Sequence, residues 1–328
     1  MKMVADIVDS ALELGVAPSF TRVGSALRSR LDHWKPLADY DAAGRVVVIT
    51  GATSGLGLAA ARALTTAGAS VEMIVRDAEK AAAVCARLRT EGAPGGVDFV
   101  VADMADLDTV RAAASTIADR HEIVDALVHN AGALDATFAR SPQGIEHTVA
   151  SQVVGPFLLT ELLVPLLRAA PHGRVVWVAS GGMYSQPLSV AALEPSPDEY
   201  DGTKAYARAK RAQVTLAEMW AERLAAEGVV VHAMHPGWAD TPGVQRSLPT
   251  FRRIVGPLLR TPEDGADTMV WLVVDDGAPV TTTGKFWLDR RPRPIHRLPS
   301  TRRSDTAAER RRLWDWCVER AQAPTASS

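Results

Sequence analysis

The chain has 328 residues, and its 36 Lys and Arg against 38 Asp and Glu leave a formal net charge of −2 with neutral histidine. This balance excludes a protein that coats nucleic acid through its overall charge. With 47% hydrophobic and 23% charged residues, the composition also excludes an intrinsically disordered chain. The two cysteines, Cys85 and Cys317, are too few for a disulfide framework and lack metal-ligand spacing, and no apolar run approaches the roughly 18 residues that span a bilayer. We therefore expect a cytoplasmic protein without a metal site.

Residues 1–43 are predicted to be a helical extension, because apolar side chains such as Val4, Ile7 and Leu27 recur at helical spacing. Arginines such as Arg28 interleave with them. Two interpretations stay open. The favoured one is an arm that packs on its own domain or on a partner subunit, because the net hydrophobicity is modest. The other is a peripheral contact with an anionic membrane surface.

From residue 44 to residue 290, short β-branched runs alternate with longer Ala-rich stretches of helical period, which is typical of repeated βαβ units. Strands are predicted at residues 46–49, 70–75, 97–101, 126–128, 175–178, 229–232 and 285–288. Helices are predicted at residues 56–67, 79–90, 107–121, 144–170, 205–227 and 262–274. The predicted strands are short and apolar, as strands covered by helices on both faces should be. The pattern therefore predicts an α/β fold: a single Rossmann-like, doubly wound parallel sheet of about seven strands with helices on both faces.

Residues 291–328 form an Arg-rich C-terminal segment that begins with Arg291 and Arg293 and continues to Arg312. A tail that binds nucleic acid or a membrane would be one use of so many cations. Aromatic residues do not interleave with them for base stacking, so a solvated tail with a short terminal helix is favoured. No nucleic-acid partner is expected.

A glycine-rich loop follows the first predicted strand directly and runs into an Ala-rich helix. It reads Thr-Gly-Ala-Thr-Ser-Gly-Leu-Gly over residues 50–57. Glycines let a backbone turn sharply and approach a pyrophosphate, whose negative charge then faces free N–H groups at the helix start. A tight turn alone would be the plainer interpretation, but the position between strand and helix favours a dinucleotide site. No Lys-Ser/Thr pair follows the last glycine, which disfavours a triphosphate loop.

The second predicted strand ends in Val75-Arg76-Asp77. An acidic side chain at this place accepts hydrogen bonds from a ribose 2′-hydroxyl, whereas an arginine favours a 2′-phosphate. Arg76 therefore predicts NADP(H) as the preferred cofactor, and Asp77 leaves NAD(H) as the alternative. Asp103, just after the third strand, either binds the adenine amino group or caps the helix that begins near Leu107.

Tyr206 and Lys210 are four residues apart on a predicted helix and therefore share a face. A free phenol titrates near pH ~10, and a fixed cation nearby lowers its pKa by stabilising the phenolate. Such a pair is by itself a common feature of helix surfaces. Ser180 closes the fifth predicted strand at the carboxyl edge, where parallel sheets place their ligands. Its hydroxyl either holds a carbonyl oxygen or only ends the strand.

Several features, taken in chain order, resemble the short-chain dehydrogenase/reductase superfamily over about residues 44–290. They are the loop at 50–57, Asn130-Ala131-Gly132, Ser180, Tyr206 with Lys210, and Pro236-Gly237. Further segments, above all Met-His-Pro-Gly-Trp-Ala-Asp-Thr-Pro-Gly-Val at 234–244, are similar to one branch of that superfamily.

The resemblance implies an oxidoreductase that transfers a hydride between NADP(H) and a carbonyl or alcohol substrate. It implies that Tyr206 protonates the substrate oxygen, that Lys210 tunes Tyr206 and binds the nicotinamide ribose, and that Ser180 orients the carbonyl. The residues expected to bind the cofactor are Gly51, Thr53, Ser54, Gly55, Leu56, Gly57, Arg76, Asp103, Met104, Asn130, Ala131, Gly132, Tyr206, Lys210, Pro236, Gly237 and Thr241. A homo-oligomer is also expected, because relatives commonly form dimers or tetramers.

One position departs from the family pattern. The helix after the fourth strand usually carries Asn-x-x-Gly, whose Asn holds a water in the proton relay from the lysine, and here Gln152 stands at the matching place. The added methylene either lets the amide reach the water or misplaces it by about an ångström, which costs on the order of 100-fold in rate. Gln152 thus joins Ser180, Tyr206 and Lys210 as a candidate catalytic residue. The alternative function is an attenuated dinucleotide-binding regulator or scaffold.

An apolar stretch after Gly237 is predicted to cover the substrate. Its members are Trp238, Val244, Leu248, Phe251, Ile254, Leu258 and Leu259. Together with Met183 and Tyr184 they indicate a hydrophobic carbonyl compound or alcohol as substrate, with ordinary core or a subunit contact as the other interpretation.

Overall fold

The structure, a computed structural model, describes residues 2–247 and 249–322. Its centre is one eight-stranded sheet in the order β3-β2-β1-β4-β5-β6-β7-β8. The strands are β1 Val46–Thr50, β2 Ser70–Val75, β3 Val97–Val101, β4 Ala126–His129, β5 Arg174–Val178, β6 Val230–Met234, β7 Lys285–Leu288 and β8 Arg291–Arg293. The first seven are parallel, and β8 is antiparallel to β7. The order reverses between β1 and β4, which opens a crevice at the carboxyl ends of these strands.

The predicted fold class is confirmed, but the structure has eight strands rather than about seven. The eighth follows β7 after a two-residue turn in which Asp289 and Arg290 both have a φ of 55°. Positive φ at both central residues matches the twist that a tight hairpin needs. The segment Arg291–Arg293 contains a proline between two arginines, so its composition does not indicate a strand, and only its pairing with β7 makes it one.

The described part of the chain contains fifteen α-helices. They are α1 Lys2–Leu14, α2 Val16–Phe20, α3 Arg22–Leu31, α4 Gly55–Thr66, α5 Ala78–Thr90, α6 Leu107–Arg120, α7 His147–Val149, α8 Gly155–Ala169, α9 Gly202–Leu224, α10 Pro242–Ser247, α11 Pro249–Val255, α12 Pro262–Val274, α13 Ala278–Thr281, α14 Pro299–Ser304 and α15 Ala307–Ala321. Several begin at a capping side chain. At α12, for example, Thr261 and Asp264 form a reciprocal capping box.

Helices cover both faces of the sheet. α4, α5 and α12 contribute Leu64, Leu88 and Trp271 to one buried cluster. α6 and α8 contribute Ile117 and Phe157 to the other, together with α9 and α15. Burial on both faces explains why the strands are continuous apolar runs.

The predicted helix over residues 144–170 is interrupted in the structure. α7 leads into five residues of π-helix, Ala150–Val154, before α8 begins. Gly155 lets this segment approach the turn after β3, since a Cβ there would lie 2.1 Å from the Met104 carbonyl oxygen. The segment His147–Ala169 is apolar and long enough to cross a membrane, but 72% of its most apolar window is buried in the fold, as in a core helix. π-turns are frequent at functional sites, and this one carries Gln152.

The N-terminal arm, α1 to α3, packs on the central domain. Ala5, Leu12 and Phe20 are buried there. Arg28 is also buried, so it is not one of a row of surface cations. The arm thus makes the intramolecular contact that the favoured interpretation describes.

Within the described residues 291–322 the Arg-rich segment is not a solvated tail, contrary to the prediction. Arg291 and Arg293 form ion pairs with Asp9 in α1. The helix α15 buries Leu313 and Cys317 against the core that α8 and α9 share. Arg293 leaves solvent because Asp9, distant in the sequence, neutralises it, which a local pattern does not reveal, whereas Arg302, Arg303, Arg311 and Arg312 stay exposed.

Candidate active site

The glycine-rich loop forms a cradle between β1 and α4. Gly51 and Gly55 have φ values of 71° and 54°, a conformation that favours glycine. A Cβ on Gly57 would lie 2.4 Å from the Gly51 carbonyl oxygen and 2.5 Å from Asn130 Nδ2. A Cβ on Gly51 would lie 2.9 Å from the Cα of Ala131. The loop therefore keeps its shape only if these positions carry no side chain.

The first turn of α4 keeps its N–H groups free of a side-chain cap. Ser54 occupies the N-cap position without a hydrogen bond from its side chain to the helix. Thr53 and Ser54 are half-buried, and Leu56 in the first turn lines the central cavity. Free N–H groups at the positive end of a helix bind phosphate.

Asn130 ties this cradle to the sheet. Its Nδ2 donates to the carbonyl oxygens of Thr50 at 3.0 Å and Gly51 at 3.1 Å. The backbone N–H groups of Asn130 and Ala131 donate to Thr50 Oγ1 at 3.0 and 2.9 Å. These four bonds join the carboxyl ends of β1 and β4, where the crevice opens.

Arg76 lies at the end of β2 with its side chain 65% exposed. Its Nη1 is 3.9 Å from Asp103 Oδ2, and such an open, long ion pair holds neither side chain firmly. The neighbouring Asp77 is engaged elsewhere, because its Oδ1 accepts from the N–H of Lys80 at 2.9 Å as the cap of α5. Arg76 is thus the side chain at this edge that is available to an anion.

Asp103 does not cap the helix that begins at Leu107. Asp106 does so, accepting from the N–H of Asp108. Asp103 Oδ1 accepts instead from the N–H of Ala105 at 2.9 Å, which leaves Oδ2 toward the crevice edge and Arg76. The Met104 side chain is buried in the core.

Ser180, Tyr206 and Lys210 meet at the carboxyl edge of the sheet. Ser180 follows β5, and its Oγ accepts from the N–H of Gly182 at 3.3 Å. It also forms a side-chain hydrogen bond with Tyr206. Lys210, one turn along α9, donates from Nζ to the carbonyl oxygen of Val178 at 3.0 Å. Its Nζ lies 5.2 Å from the centroid of the Tyr206 ring.

Burial changes the titration of both α9 side chains. It raises the pKa of the Tyr206 phenol, while the hydrogen bond with Ser180 acts in the opposite direction. It lowers the pKa of Lys210 to about 7. The lowered phenol pKa that the Tyr-Lys spacing predicts is absent from the protein alone, because loss of solvent outweighs the hydrogen bond with Ser180. At neutral pH the phenol therefore carries its proton.

Gln152 lies beside Lys210 in the π-helical segment. Its Nε2 donates to the carbonyl oxygen of Ala133 at 2.6 Å, and its backbone carbonyl oxygen accepts from Gln213 Nε2 at 2.6 Å. Its Oε1 is buried without a hydrogen-bond partner among the described residues. A Cβ on Gly132 would lie 3.0 Å from this Oε1 and 3.2 Å from Lys210 Nζ. Gln152 Oε1 and Lys210 Nζ therefore both lie next to Gly132. The amide therefore reaches the neighbourhood of the lysine despite its longer arm.

Ser180, Tyr206 and Lys210 line a cavity of about 400 Å³, and Gln152 is not among the described residues that line it. The predicted site residues that line it are Leu56, Asn130, Gly132, Ser180, Tyr206, Lys210, Pro236, Gly237 and Thr241. The other predicted cofactor residues lie outside this lining, in the cradle and at the ends of β2, β3 and β4. Thr241 connects the two parts, since a Cβ on Gly55 would lie 3.4 Å from its Cβ.

The predicted substrate-covering stretch is only partly at the cavity. Trp238 and Val244 line it. Leu259 is buried in the fold and Leu258 is exposed. Leu248 and the side chains of Phe251 and Ile254 lie outside the described residues.

Met183 and Tyr184 do not line the cavity, so their predicted place in the substrate pocket is wrong. Both belong to a 3₁₀ turn, Gly181–Ser185, that directs them into the core. The Tyr184 hydroxyl donates to the carbonyl oxygen of Pro294 at 2.9 Å.

Sequence reasoning missed several lining residues. They include Leu134, Gln186, Thr203 and Lys204. Thr203 could have been found, because it precedes Tyr206 by three residues and so shares its helix face. Leu134 and Gln186 lie outside the helices and strands, where no periodicity marks the lining side.

Comparison with known proteins gives consistent results. The family described as short chain dehydrogenase matches residues 45–250. Dehydrogenase/reductase SDR family member 12 from Homo sapiens is 34% identical over 279 residues, which cover 85% of this chain and 87% of that protein. Retinol dehydrogenase 12 from Homo sapiens is 30% identical, with coverage of 84% and 86%. Dehydrogenase/reductase SDR family member 12 represents the branch that the segment at 234–244 resembles.

Solved structures share the fold. An uncharacterized protein from Mycobacterium paratuberculosis superposes with a TM-score of 0.69 at 27% identity, covering 89% of this chain and 99% of that one. A candidate NAD(P)-dependent gluconate 5-dehydrogenase from Beutenbergia cavernae, with NADP bound at low occupancy, has a TM-score of 0.62 at 27% identity, covering 78% and 97%.

Proposed function

Since the chain belongs to the short-chain dehydrogenase family of oxidoreductases, we propose that it transfers a hydride between NADP(H) and a hydrophobic carbonyl or alcohol substrate. The observation that carries the proposal is the meeting of Ser180, Tyr206 and Lys210 at the wall of one cavity, which Asn130 and Pro236-Gly237 also line. A Tyr-Lys pair that served only as helix surface would not share an apolar cavity with a serine hydroxyl.

The residues present fit a dinucleotide. In the cradle, a Cβ on Gly51 or Gly57 would clash with neighbouring atoms, so the bare backbone can approach a pyrophosphate closely. The start of α4 has no side-chain cap, so its N–H groups can bind the pyrophosphate. Asp103 Oδ2 would accept a hydrogen bond from the adenine amino group, because Oδ1 already accepts from the N–H of Ala105. Met104 would contact the cofactor through its backbone, since its side chain is in the core.

Arg76 supports NADP(H) as the preferred cofactor. Its exposed guanidinium is available to a 2′-phosphate at the end of β2. Asp77, the side chain that would favour NAD(H), is engaged as the cap of α5. NAD(H) stays the alternative cofactor.

When bound, NADPH supplies the hydride, and the protein supplies position and the proton. Ser180 Oγ, which forms a hydrogen bond with Tyr206, is placed to donate to a substrate carbonyl oxygen or to accept from the hydroxyl of an alcohol substrate. Tyr206 keeps its proton at neutral pH because burial raises its pKa, so it is ready to act as the acid in reduction. In the direction of oxidation it would have to lose that proton before it could act as the base.

Gln152 and Lys210 support resupply of that proton. Gln152 Oε1 lacks a partner within the described chain, and Lys210 Nζ approaches the same point near Gly132. A water held between Oε1 and Nζ would satisfy both groups. This arrangement favours a working relay over the alternative of an attenuated regulator or scaffold.

The cavity lining supports a hydrophobic substrate. Leu134, Val178, Trp238 and Val244 are apolar lining residues, and Ser180 and Tyr206 are among the polar ones. The relative named retinol dehydrogenase 12 is consistent with a hydrophobic alcohol or carbonyl compound as the substrate class here.

Location and assembly are part of the same proposal. A cytoplasmic homo-oligomer is the expectation that the family membership and composition support. A peripheral membrane contact through residues 1–43 would use Met3, Ile7 and Leu14, which are exposed on α1, rather than the buried Arg28.

The proposal is tested with Tyr206→Phe beside wild type, using NADPH and a panel of aldehydes and ketones. Loss of the acid should lower kcat about 100-fold or more, while the Kd of NADPH changes little. The matched control is Tyr40→Phe, because the Tyr40 hydroxyl donates to Asp275 and neither residue lines the cavity. This variant should keep the wild-type kcat. Equal turnover by Tyr206→Phe and wild type would remove Tyr206 from the reaction.

A further inference from the structure

Phe20, the last residue of α2, supports the turn that holds Ser180. Its side chain is buried, and a Cβ on Gly181 would lie 2.6 Å from Phe20 Cε2. The ring therefore fills the space that a side chain at 181 would need. Gly181 follows Ser180, whose Oγ is held by the N–H of Gly182. A shift of the ring would move the serine turn with it.

The backbone of Phe20 also holds the opposite side of the cavity. Its carbonyl oxygen accepts from the N–H of Trp238 at 2.7 Å and from Arg260 Nε at 3.0 Å. Gly237 has a φ of 71°, and a Cβ there would lie 2.6 Å from the same carbonyl oxygen. Gly237 and Trp238 both line the cavity.

A third contact links these two sides. The ring of Phe20 lies 4.5 Å from the ring of His235, centroid to centroid, and His235 Nδ1 accepts from the N–H of Gly237 at 3.2 Å. Burial, together with surrounding arginines such as Arg260, holds the pKa of His235 well below its ordinary value, so the ring is neutral and accepts this bond.

Buried ion pairs fix the arm in this place. Arg28 in α3 donates from Nη1 to Asp289 Oδ2 at 2.6 Å, and Arg260 donates to both oxygens of Asp289 at 2.5 and 2.9 Å. Arg28 also donates to the carbonyl oxygen of Ser19 at 3.0 Å, next to Phe20. Arg28, Asp289 and Arg260 have side chains 1–2% exposed. Such groups do not rearrange independently, because each charge left unpaired in the core would be costly.

We propose that Phe20 is a positioning residue of the active site: the N-terminal arm, locked by Arg28, Asp289 and Arg260, sets the separation between the Ser180 turn and the Gly237–Trp238 segment. The inference rests on the proposed function, because these two segments flank the reacting groups. No residue of the arm is among the described residues that line the cavity, so Phe20 acts through its neighbours and not on substrate.

The test compares Phe20→Ala and Phe20→Leu with Leu12→Ala. Leu12 is a buried residue of α1 in the same arm, so its truncation removes an apolar side chain while leaving the Phe20 ring and the Arg28–Asp289–Arg260 ion pairs in place. Each variant is measured by hydrogen–deuterium exchange of the protein alone at residues 180–186 and 236–241, and by kcat and KM with NADPH and the best carbonyl substrate of the panel.

Phe20→Ala is expected to speed exchange in both segments and to lower kcat by about 10- to 100-fold, because a displacement near 1 Å is enough to misalign reacting groups. Phe20→Leu should fall between Phe20→Ala and wild type, and it serves as the readout if Phe20→Ala does not fold. Leu12→Ala should keep wild-type exchange in the two segments and wild-type kcat. Unchanged exchange in the Phe20 variants, or an equal effect of Leu12→Ala, overturns the inference.

The proposed function and the positioning role of Phe20 are tested by different measurements. If wild type reduces none of the carbonyl compounds, the proposed function is wrong, while exchange at residues 180–186 and 236–241 still decides whether Phe20 positions them.

Discussion

The amide of Gln152 offers the sharpest test of the reaction, through the substitution Gln152→Asn. Asn is the residue that the family pattern carries at this place, so a damaged relay should be repaired by it. The structure predicts the opposite. Gln152 Nε2 reaches the carbonyl oxygen of Ala133 at 2.6 Å, and Oε1 reaches the point near Gly132 that Lys210 Nζ also approaches.

The magnitude follows from the length of the side chain. Removing one methylene withdraws the amide by about 1.5 Å, one carbon–carbon bond. The bond to Ala133 is then lost, at about 1 kcal/mol for a typical hydrogen bond. An amide beside Lys210 that is displaced by more than about 1 Å costs on the order of 100-fold in rate. We therefore expect Gln152→Asn to lower kcat by roughly 10- to 100-fold.

The assay measures kcat for NADPH oxidation with a saturating carbonyl substrate, from about pH 6 to about pH 9 in steps of about one pH unit. The matched control is Gln143→Asn, a buried amide that bonds Leu107 and Asp106 away from the cavity. It should cost stability and leave kcat unchanged. An increase of kcat in Gln152→Asn, or no change, would refute an adapted relay through the longer amide.

Three further predictions concern the cradle, the cofactor and the lysine. Gly57→Ala should abolish detectable NADPH binding in a fluorescence titration, because its Cβ would lie 2.4 Å from the Gly51 carbonyl oxygen. Gly256→Ala, where a Cβ meets nothing within 4 Å, should bind normally. Arg76→Ala should raise the Kd of NADPH about 10- to 100-fold and leave that of NADH nearly unchanged, as expected when a charge-assisted bond to a phosphate is lost; equal effects on both cofactors would contradict the assignment. Burial lowers the pKa of Lys210 from 10.5 to about 7, so the unfolded chain binds more protons between these pH values and the free energy of unfolding should rise with pH across that window. Urea unfolding at several pH values should show that the free energy of unfolding rises less with pH in Lys210→Met than in wild type. The same dependence on pH in both proteins would contradict a buried lysine with a lowered pKa.

Local sequence was sufficient for much of the fold. Seven strands were predicted within a residue or two, because most of them are contiguous apolar runs covered on both faces; the edge strand β3 is the exception, with Asp98 and Val101 exposed. The glycine loop was recognisable because its chemistry depends on consecutive positions, and the Tyr206–Lys210 pair because one helical turn places both on a face.

Other parts were not predictable because they depend on pairs that are distant in the chain. Arg28 and Asp289 are 261 residues apart, so no local pattern reveals that Arg28 is buried. The strand β8 exists only through its pairing with β7, and Gln152 has a role only because Ala133 and Lys210 lie on either side of its amide.

The sequence by itself thus determined the class of fold, the glycine loop between β1 and α4 and the candidate reacting side chains, since these follow from spacing and composition along short stretches. Only the tertiary structure decided that the N-terminal arm packs on the central domain, that Arg291 and Arg293 pair with Asp9, and that Met183 and Tyr184 face the core. The physical reason is that burial and charge pairing depend on three-dimensional neighbours, and periodicity describes only the direction of a side chain from its own helix or strand.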